Sequence, residues 1–128
     1  MTRVFVYGTL TDPERADALL DRYRIGPDAV LRGLHRVEGR YPTLAPGSEV
    51  RGRLLETPEL DRLDAYEGVE SGLYARVTLP VSDGVNAECY VGDPGPLGAD
   101  AEWPGTGPFD ARVRSYLEDH AVEIGRNE

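Results

Sequence analysis

The segment PELDRLDAYEGV, residues 58–69, sets a glutamate where an apolar residue is expected. Read as a helix, it has Thr57 as N-cap and Pro58 at the first helical position, where no N–H is needed. Gly68 is a natural stop just past the end. At about 100° per residue, Leu60 and Leu63 mark the buried stripe. Glu67 follows Leu63 by one helical turn and Leu60 by two, so it falls on that stripe, while Asp61 and Asp64 point elsewhere and stay wet. A carboxylate at a helix C-terminus also meets the unfavourable end of the dipole, at a cost of about 0.3–1 kcal/mol. Burial and dipole both raise its pKa. A carboxyl group kept against both costs is a candidate for chemistry. The alternatives are a helix-end glutamate whose long stem carries its head to water, or one neutralised by Arg62 or Arg76.

A second candidate is VYGTL, residues 6–10. Glycine directly after a strand lets the backbone turn sharply and approach a ligand closely. The N–H groups of Gly8, Thr9 and Leu10 then lack sheet partners and form a concave anion site, to which a helix starting at Asp12 adds positive dipole. Pro13 contributes no N–H to it. The alternative is an ordinary strand-to-helix turn. Cys89, in AECYVG, fits a small inward core residue better than a nucleophile, which would need His35 or His120 as its base. Neither G-x-S-x-G nor a phosphate-binding G-x-x-x-x-G-K-[ST] occurs. Trp103 is a core plug or a lid, and the plug is favoured.

These residues stand in a chain of 128 residues, expected to fold as a single domain over 1–128. Its 40% hydrophobic and 29% charged content is that of a globular protein. All 14 basic residues are arginine, and the net charge is −9. Such acidity argues against nucleic acid, for which basic patches supply most of the affinity. It also suits a salt-rich (halophilic) host, where salt screens self-repulsion; a GC-rich genome, which would also replace lysine by arginine, is the less favoured explanation. No apolar run approaches the roughly 20 residues of a membrane span. The N-terminus lacks a signal-peptide pattern, which makes the protein cytoplasmic by expectation. One cysteine forms no internal disulfide, and no Cys/His spacing suggests a metal site. Without heptads or a large apolar stripe, the expectation is a monomer.

RVFVYGTL begins as a strand with Val4 and Val6 on one face and Phe5 and Tyr7 on the other. Asp12 caps a helix through PERADALLDRYR that buries Ala16, Leu19, Leu20 and Tyr23. DAVLRGLHRVEG is a strand with an irregularity at Gly33, RYPTLAPGSE a loop, and VRGRLLET a strand leading into the Glu67 helix. LYARVTLPV and AECYVG are strands joined by a turn at SDGVN. GDPGPLGADAEWPGTGP is a long loop, and PFDARVRSYLEDHAVEIG a terminal helix. Short strands with helices inserted irregularly predict an α+β fold: a small mixed β-barrel with two or three flanking helices.

Taken together, the segments resemble the γ-glutamylcyclotransferase family. VFVYGTL resembles its N-terminal Y-G-[TS] motif, and YPTLAPGSEVRGRLLE its loop and following strand. LDRLDAYEGVESGLYARVTLPV is similar to its most specific segment, and AECYVG to the next strand. Four matches in order over residues 4–92 are more specific than any one of them; after Gly92 the resemblance fades. Arg53 stands where an acidic or neutral residue is more usual. The resemblance implies a barrel with a cleft between the Y-G-T loop and the Glu-Gly helix end. It implies that a γ-glutamyl amino acid, peptide or amine cyclises to 5-oxoproline and releases its amine. Glu67 matches the general acid/base position. The N–H groups of Gly8, Thr9 and Leu10 would hold the substrate α-carboxylate, and Tyr7 and Tyr74 would shape the cleft or bond the ligand. No metal or nucleotide cofactor is implied. Two alternatives stand beside it: a non-catalytic small-molecule binding domain on the same scaffold, and an acyl-transfer enzyme that removes a γ-glutamyl protecting group.

Overall fold

A computed structural model of the chain describes residues 1–126, apart from the side chain of Thr9. Six strands form one mixed sheet: β1 (Thr2–Val6), β2 (Arg24–Val37), β3 (Thr43–Thr57), β4 (Tyr74–Leu79), β5 (Ala87–Gly92) and β6 (Glu123–Arg126). Four helices accompany it: α1 (Pro13–Leu19), α2 (Leu60–Glu67), α3 (Pro94–Leu97) and α4 (Phe109–Asp119). The strand order is β4-β5-β1-β3-β2-β6. Only β1 and β5 run parallel. The ladder does not close continuously. A single bridge from Val81, just beyond β4, to Ile124 in β6 joins its two edges, so the sheet is barrel-like without being a closed barrel. None of the described helices is long and apolar enough to cross a membrane.

The alternation read in β1 holds. Phe5 and Tyr7 enter one apolar cluster with Leu31, Leu44, Leu54, Cys89 and Val91. Val4 and Val6 enter another with Leu10, Ala16, Leu20, Leu55 and Leu63. The second cluster is roofed by α1, α2 and α3. The first is covered by α4, through Val113, and by Trp103, which is 2% exposed and donates its indole N–H to Leu44 C=O at 3.2 Å. Trp103 is therefore a core plug. Cys89 is a buried core residue whose thiol pKa burial pushes up.

Several boundaries differ from the sequence expectations. RYPTLAPGSE is mostly strand: β3 starts at Thr43, and Val37 already pairs with Thr43 in the long β2–β3 hairpin. Pro46 is tolerated beside a register shift between Arg32 and Leu34, where Gly47 (φ 106°) and Ser48 (φ 55°) take left-handed backbone. Such irregularities are where a strand accepts proline. Helix α1 stops at Leu19, short of the predicted Arg24, because β2 begins at Arg24. Ala16 and Leu20 are nevertheless buried, with Leu19 and Tyr23 partly so. The terminal segment is not one helix. After α4 the alternating Val122 and Ile124 point into the core, and β6 pairs with β2. The long Gly/Pro loop contains α3, capped by the Asp93 side chain accepting from Gly95 N–H at 3.1 Å.

One buried polar staple ties the hairpin to the site. The Thr43 hydroxyl, fully buried, donates to Gly92 C=O at 2.9 Å and accepts from Gly92 N–H at 2.8 Å. It locks the start of β3 to the end of β5. Removing it strands a buried donor and a buried acceptor together, each worth about 1–3 kcal/mol. Thr43→Val, which keeps the shape, is expected to destabilise the fold by roughly 2–4 kcal/mol in urea unfolding, at unchanged m-value.

Candidate active site

Helix α2 ends where the sequence indicated, because Gly68 takes left-handed backbone, φ 71° and ψ 38°. A residue with a Cβ pays about 1–2 kcal/mol there. The N-terminal end differs. Glu59, not Thr57, is the N-cap, and it makes no side-chain cap bond. The Thr57 hydroxyl instead accepts from Glu59 N–H at 3.0 Å and donates to Arg22 C=O at 2.6 Å. Leu63 is fully buried and Leu60 partly, so the predicted stripe is real.

Glu67, on that stripe, lines a cavity of about 370 Å³. Tyr7, Gly8, Leu10 and Tyr74 line the same cavity, so the two segments singled out in the sequence meet there. The backbone of Thr9 belongs to a 3-10 turn, Thr9–Thr11, while its side chain lies outside the described residues. This turn uses the Gly8 carbonyl twice: Thr11 N–H donates to it at 3.1 Å and the Thr11 hydroxyl at 2.7 Å. The N–H groups of Thr9 and Leu10, at the start of the turn, have no acceptor within it. Gly8 is not in left-handed backbone, and a Cβ there would meet only Pro42, at 3.6 Å. Its glycine therefore spares space beside the cavity and meets no conformational demand.

The Glu67 carboxyl has its pKa raised from 4.5 to about 7. Burial is the cause: water is withdrawn from the carboxylate, and among the described residues no paired cation offsets the loss. Arg62 and Arg76 do not neutralise it. Arg62 pairs with Asp21 and Glu59, and Arg76 with Asp64 at 3.1 Å and Glu88 at 3.2 Å. Asp64 is thus no wet surface residue, since it also accepts from the Tyr90 hydroxyl at 2.6 Å. Asp61 is exposed as expected.

The tyrosine hydroxyls are engaged structurally. Tyr7 donates to Tyr90 C=O at 2.5 Å, and Tyr74 to Pro42 C=O at 2.6 Å. Burial, and in smaller part the Glu67 charge, raises the pKa of both phenols, so they stay protonated at neutral pH. They shape the wall and are no bases. A Cβ on Gly92 would come within 2.8 Å of the Tyr74 ring, so glycine there lets that ring lie against the strand. Arg53 does not line the cavity; its guanidinium donates to Gly26 C=O.

The cavity also contains residues that sequence reasoning missed: Arg15, Tyr41, Pro42, Tyr66, Leu73 and Tyr90. Tyr66 and Tyr90 carried a signal, one adjoining Glu67 and the other alternating with inward Cys89. Arg15, on the exposed side of a short helix, carried none. Among the described residues no group of three or more His, Cys, Asp or Glu could hold a metal ion.

A family model described as gamma-glutamyl cyclotransferase, AIG2-like, matches residues 4–105. The match runs past Gly92, where the sequence resemblance faded. The AIG2-like protein C of Arabidopsis thaliana is 40% identical over 101 residues, covering 69% of this chain and 57% of the relative. The chain thus spans little more than half the length of the curated relatives it matches. A solved Arabidopsis thaliana protein shares 30% identity and a TM-score of 0.59, covering 92% of this chain and 84% of its own. A solved gamma-glutamyl cyclotransferase shares 20% identity and a TM-score of 0.58, covering 72% of this chain and 66% of its own, a likeness of fold.

The raised pKa of Glu67 links stability to pH with a definite sign. A carboxyl whose folded pKa exceeds its unfolded value favours the fold when protonated, and that contribution is lost as pH rises from 4.5 through about 7. The difference between wild type and Glu67→Gln isolates this group from the other carboxylates. The variant is expected to match wild type near about pH 4 and to exceed it near about pH 8 by up to ~3 kcal/mol. Urea unfolding of both proteins across that range measures the gap.

Proposed function

The chain belongs to the gamma-glutamyl cyclotransferase, AIG2-like family, and on that premise we propose that it cyclises a γ-glutamyl compound to 5-oxoproline, with Glu67 as general acid/base. The observation that supports this reading is the Glu67 carboxyl, on the wall of a cavity with its pKa near neutral and, among the described residues, no cation paired with it. A group of that pKa accepts and returns a proton with similar ease at neutral pH.

The reaction balances without water or cofactor. The carboxylate of Glu67 takes a proton from the substrate's α-ammonium group. The freed amine attacks the γ-carbonyl carbon, and a new C–N bond closes the five-membered ring. Glu67 then gives the proton to the leaving nitrogen as its bond to the γ-carbon breaks. As the ring nitrogen becomes the lactam N–H it sheds a second proton, which passes by way of Glu67 to the released amine. Two protons thus move from one nitrogen to the other, the amine leaves as an ammonium, and Glu67 ends as it began. The attack is intramolecular, so the protein chiefly has to hold the bent conformer. The turn N–H groups of Gly8, Thr9 and Leu10 receive the α-carboxylate, while Tyr7 and Tyr74 hold the shape of the wall.

Release of 5-oxoproline from γ-glutamyl amino acids and amines tests the reading. Glu67→Gln, folded, is expected to lose about 10²–10⁴-fold in kcat. In wild type, kcat/KM is expected to climb with pH as Glu67 deprotonates and to level off above about 7. Unchanged release by the variant would remove Glu67 from the mechanism. Absence of release, with binding of 5-oxoproline retained, would favour a non-catalytic binding domain.

Gly8→Ala gives a separate check, since the added methyl meets only Pro42, at van der Waals distance. Its thermal midpoint is expected to stay within a few degrees of wild type, while KM rises. A collapse of the fold would show that Gly8 serves the backbone.

A further inference from the structure

The cavity has a buried end and an open end. Tyr7, Leu10, Tyr74 and Tyr90, all 8% exposed or less, enclose the first. Tyr41 and Tyr66, 55% and 51% exposed, stand at the second together with exposed Arg15. Among the described residues, Arg15 and Glu67 are the only acidic or basic side chains of the Asp, Glu, Lys, Arg or His type that line the cavity. They differ in what surrounds them: Glu67 is largely desolvated, whereas Arg15 is at the rim.

Arg15 also differs from the paired arginines around the site. The chain has 23 acidic residues against 14 arginines, and among the described residues seven of those arginines pair with a carboxylate. Arg36, Arg62 and Arg76, all near the site in the fold, are paired with Glu38, with Asp21 and Glu59, and with Asp64 and Glu88. Among the described residues nothing bonds to the Arg15 guanidinium; only its backbone N–H is engaged, to Asp12 C=O at 3.1 Å. Facing a cavity on an acidic protein, an unpaired fork of N–H donors is matched to a carboxylate that arrives with a ligand.

We propose that Arg15 is a specificity-determining residue that receives a carboxylate on the leaving group, making the preferred substrate a γ-glutamyl amino acid or peptide over an uncharged γ-glutamyl amine. This rests on the cyclisation reading above. In that reading the glutamyl half occupies the buried end, with its α-carboxylate on the turn at Gly8–Leu10 and its γ-carbonyl beside Glu67. The other half of the substrate then extends to the rim. An amino acid leaving group carries its carboxylate two bonds from the departing nitrogen, so it emerges with the amine and meets the guanidinium. The exposed ring of Tyr41 stands where the leaving group's side chain would lie. A simple amine would leave Arg15 unpaired.

The test compares γ-glutamylalanine with γ-glutamylalaninamide, two substrates of one shape that differ in a single charge. Both are assayed for 5-oxoproline release with wild type, Arg15→Gln and Arg15→Lys. Wild type is expected to favour the acid roughly tenfold in kcat/KM, mostly through KM, as suits a charge-assisted hydrogen bond at a partly exposed site. Added salt should shrink that preference. Arg15→Gln is expected to bring the ratio close to one, and Arg15→Lys to keep part of it. A ratio near one in wild type, or a ratio unchanged in Arg15→Gln, overturns the inference while leaving the cyclase intact. Equal loss on both substrates in Arg15→Gln also overturns it, because Arg15 would then serve the glutamyl half. No release of 5-oxoproline from either substrate by wild type overturns the cyclisation reading and this inference with it.

Discussion

Strand β1 is buried on both faces, and the architecture of the site depends on that constraint. Val4 and Val6 enter one apolar layer, and Phe5 and Tyr7 enter the other. Its two edges are held by β3 and β5. Each of these side chains contributes on the order of 1.5–3 kcal/mol by leaving water, so the exit of the chain at Gly8 is as firmly placed as the core itself. A chain leaving such a strand emerges between the two layers, among apolar side chains. The cavity forms there, and its low polarity follows from where it lies.

That origin accounts for the chemistry of the wall. Polar groups brought into an apolar setting need partners, and nearly every one around the cavity has one. Tyr7 bonds to the backbone of β5, Tyr74 to Pro42, and Tyr90 to Asp64. Asp64, Arg76 and Glu88 extend the last into a chain of charges alternating in sign. Thr43 and Gly92 satisfy each other and fix the loop that carries Tyr41 and Pro42. Glu67 stands apart from this pattern: its carboxyl is desolvated, with no cation to compensate, and its pKa rises as a direct result. A group left uncompensated where most of its polar neighbours are satisfied points to use by a ligand. Arg15 is the complementary case at the rim, a guanidinium with no partner among the described residues in a chain rich in carboxylates.

Local rules read well where tertiary contacts agreed with them. The alternation of Val4, Phe5, Val6 and Tyr7, the Asp12–Pro13 start of α1 and the Gly68 stop of α2 each follow from one residue's own geometry. The rules failed where a long-range partner outweighed them. Pro46 and Gly47 look like a loop until β2 is laid alongside, and pairing then carries β3 through them by way of a register shift. The tail after Asp119 continues a helical pattern only while its strand partner β2 is ignored. Asp64 looks solvated on a helical wheel, which contains neither Tyr90 nor Arg76.

The sequence by itself determined that Glu67 shares a buried stripe with Leu60 and Leu63, because helical periodicity is local and the Gly68 stop places the carboxyl at the end of that stripe. It determined likewise that the chain turns at Gly8 directly after a strand. Only the tertiary structure decided that these two places adjoin one cavity, since β1 and α2 are separated by the whole β2–β3 hairpin. It alone decided which charges around that cavity are spent on one another and which, Glu67 and Arg15, are left to face it. Pairing of charges depends on distances in space, and those arise only when strands remote in sequence lie side by side.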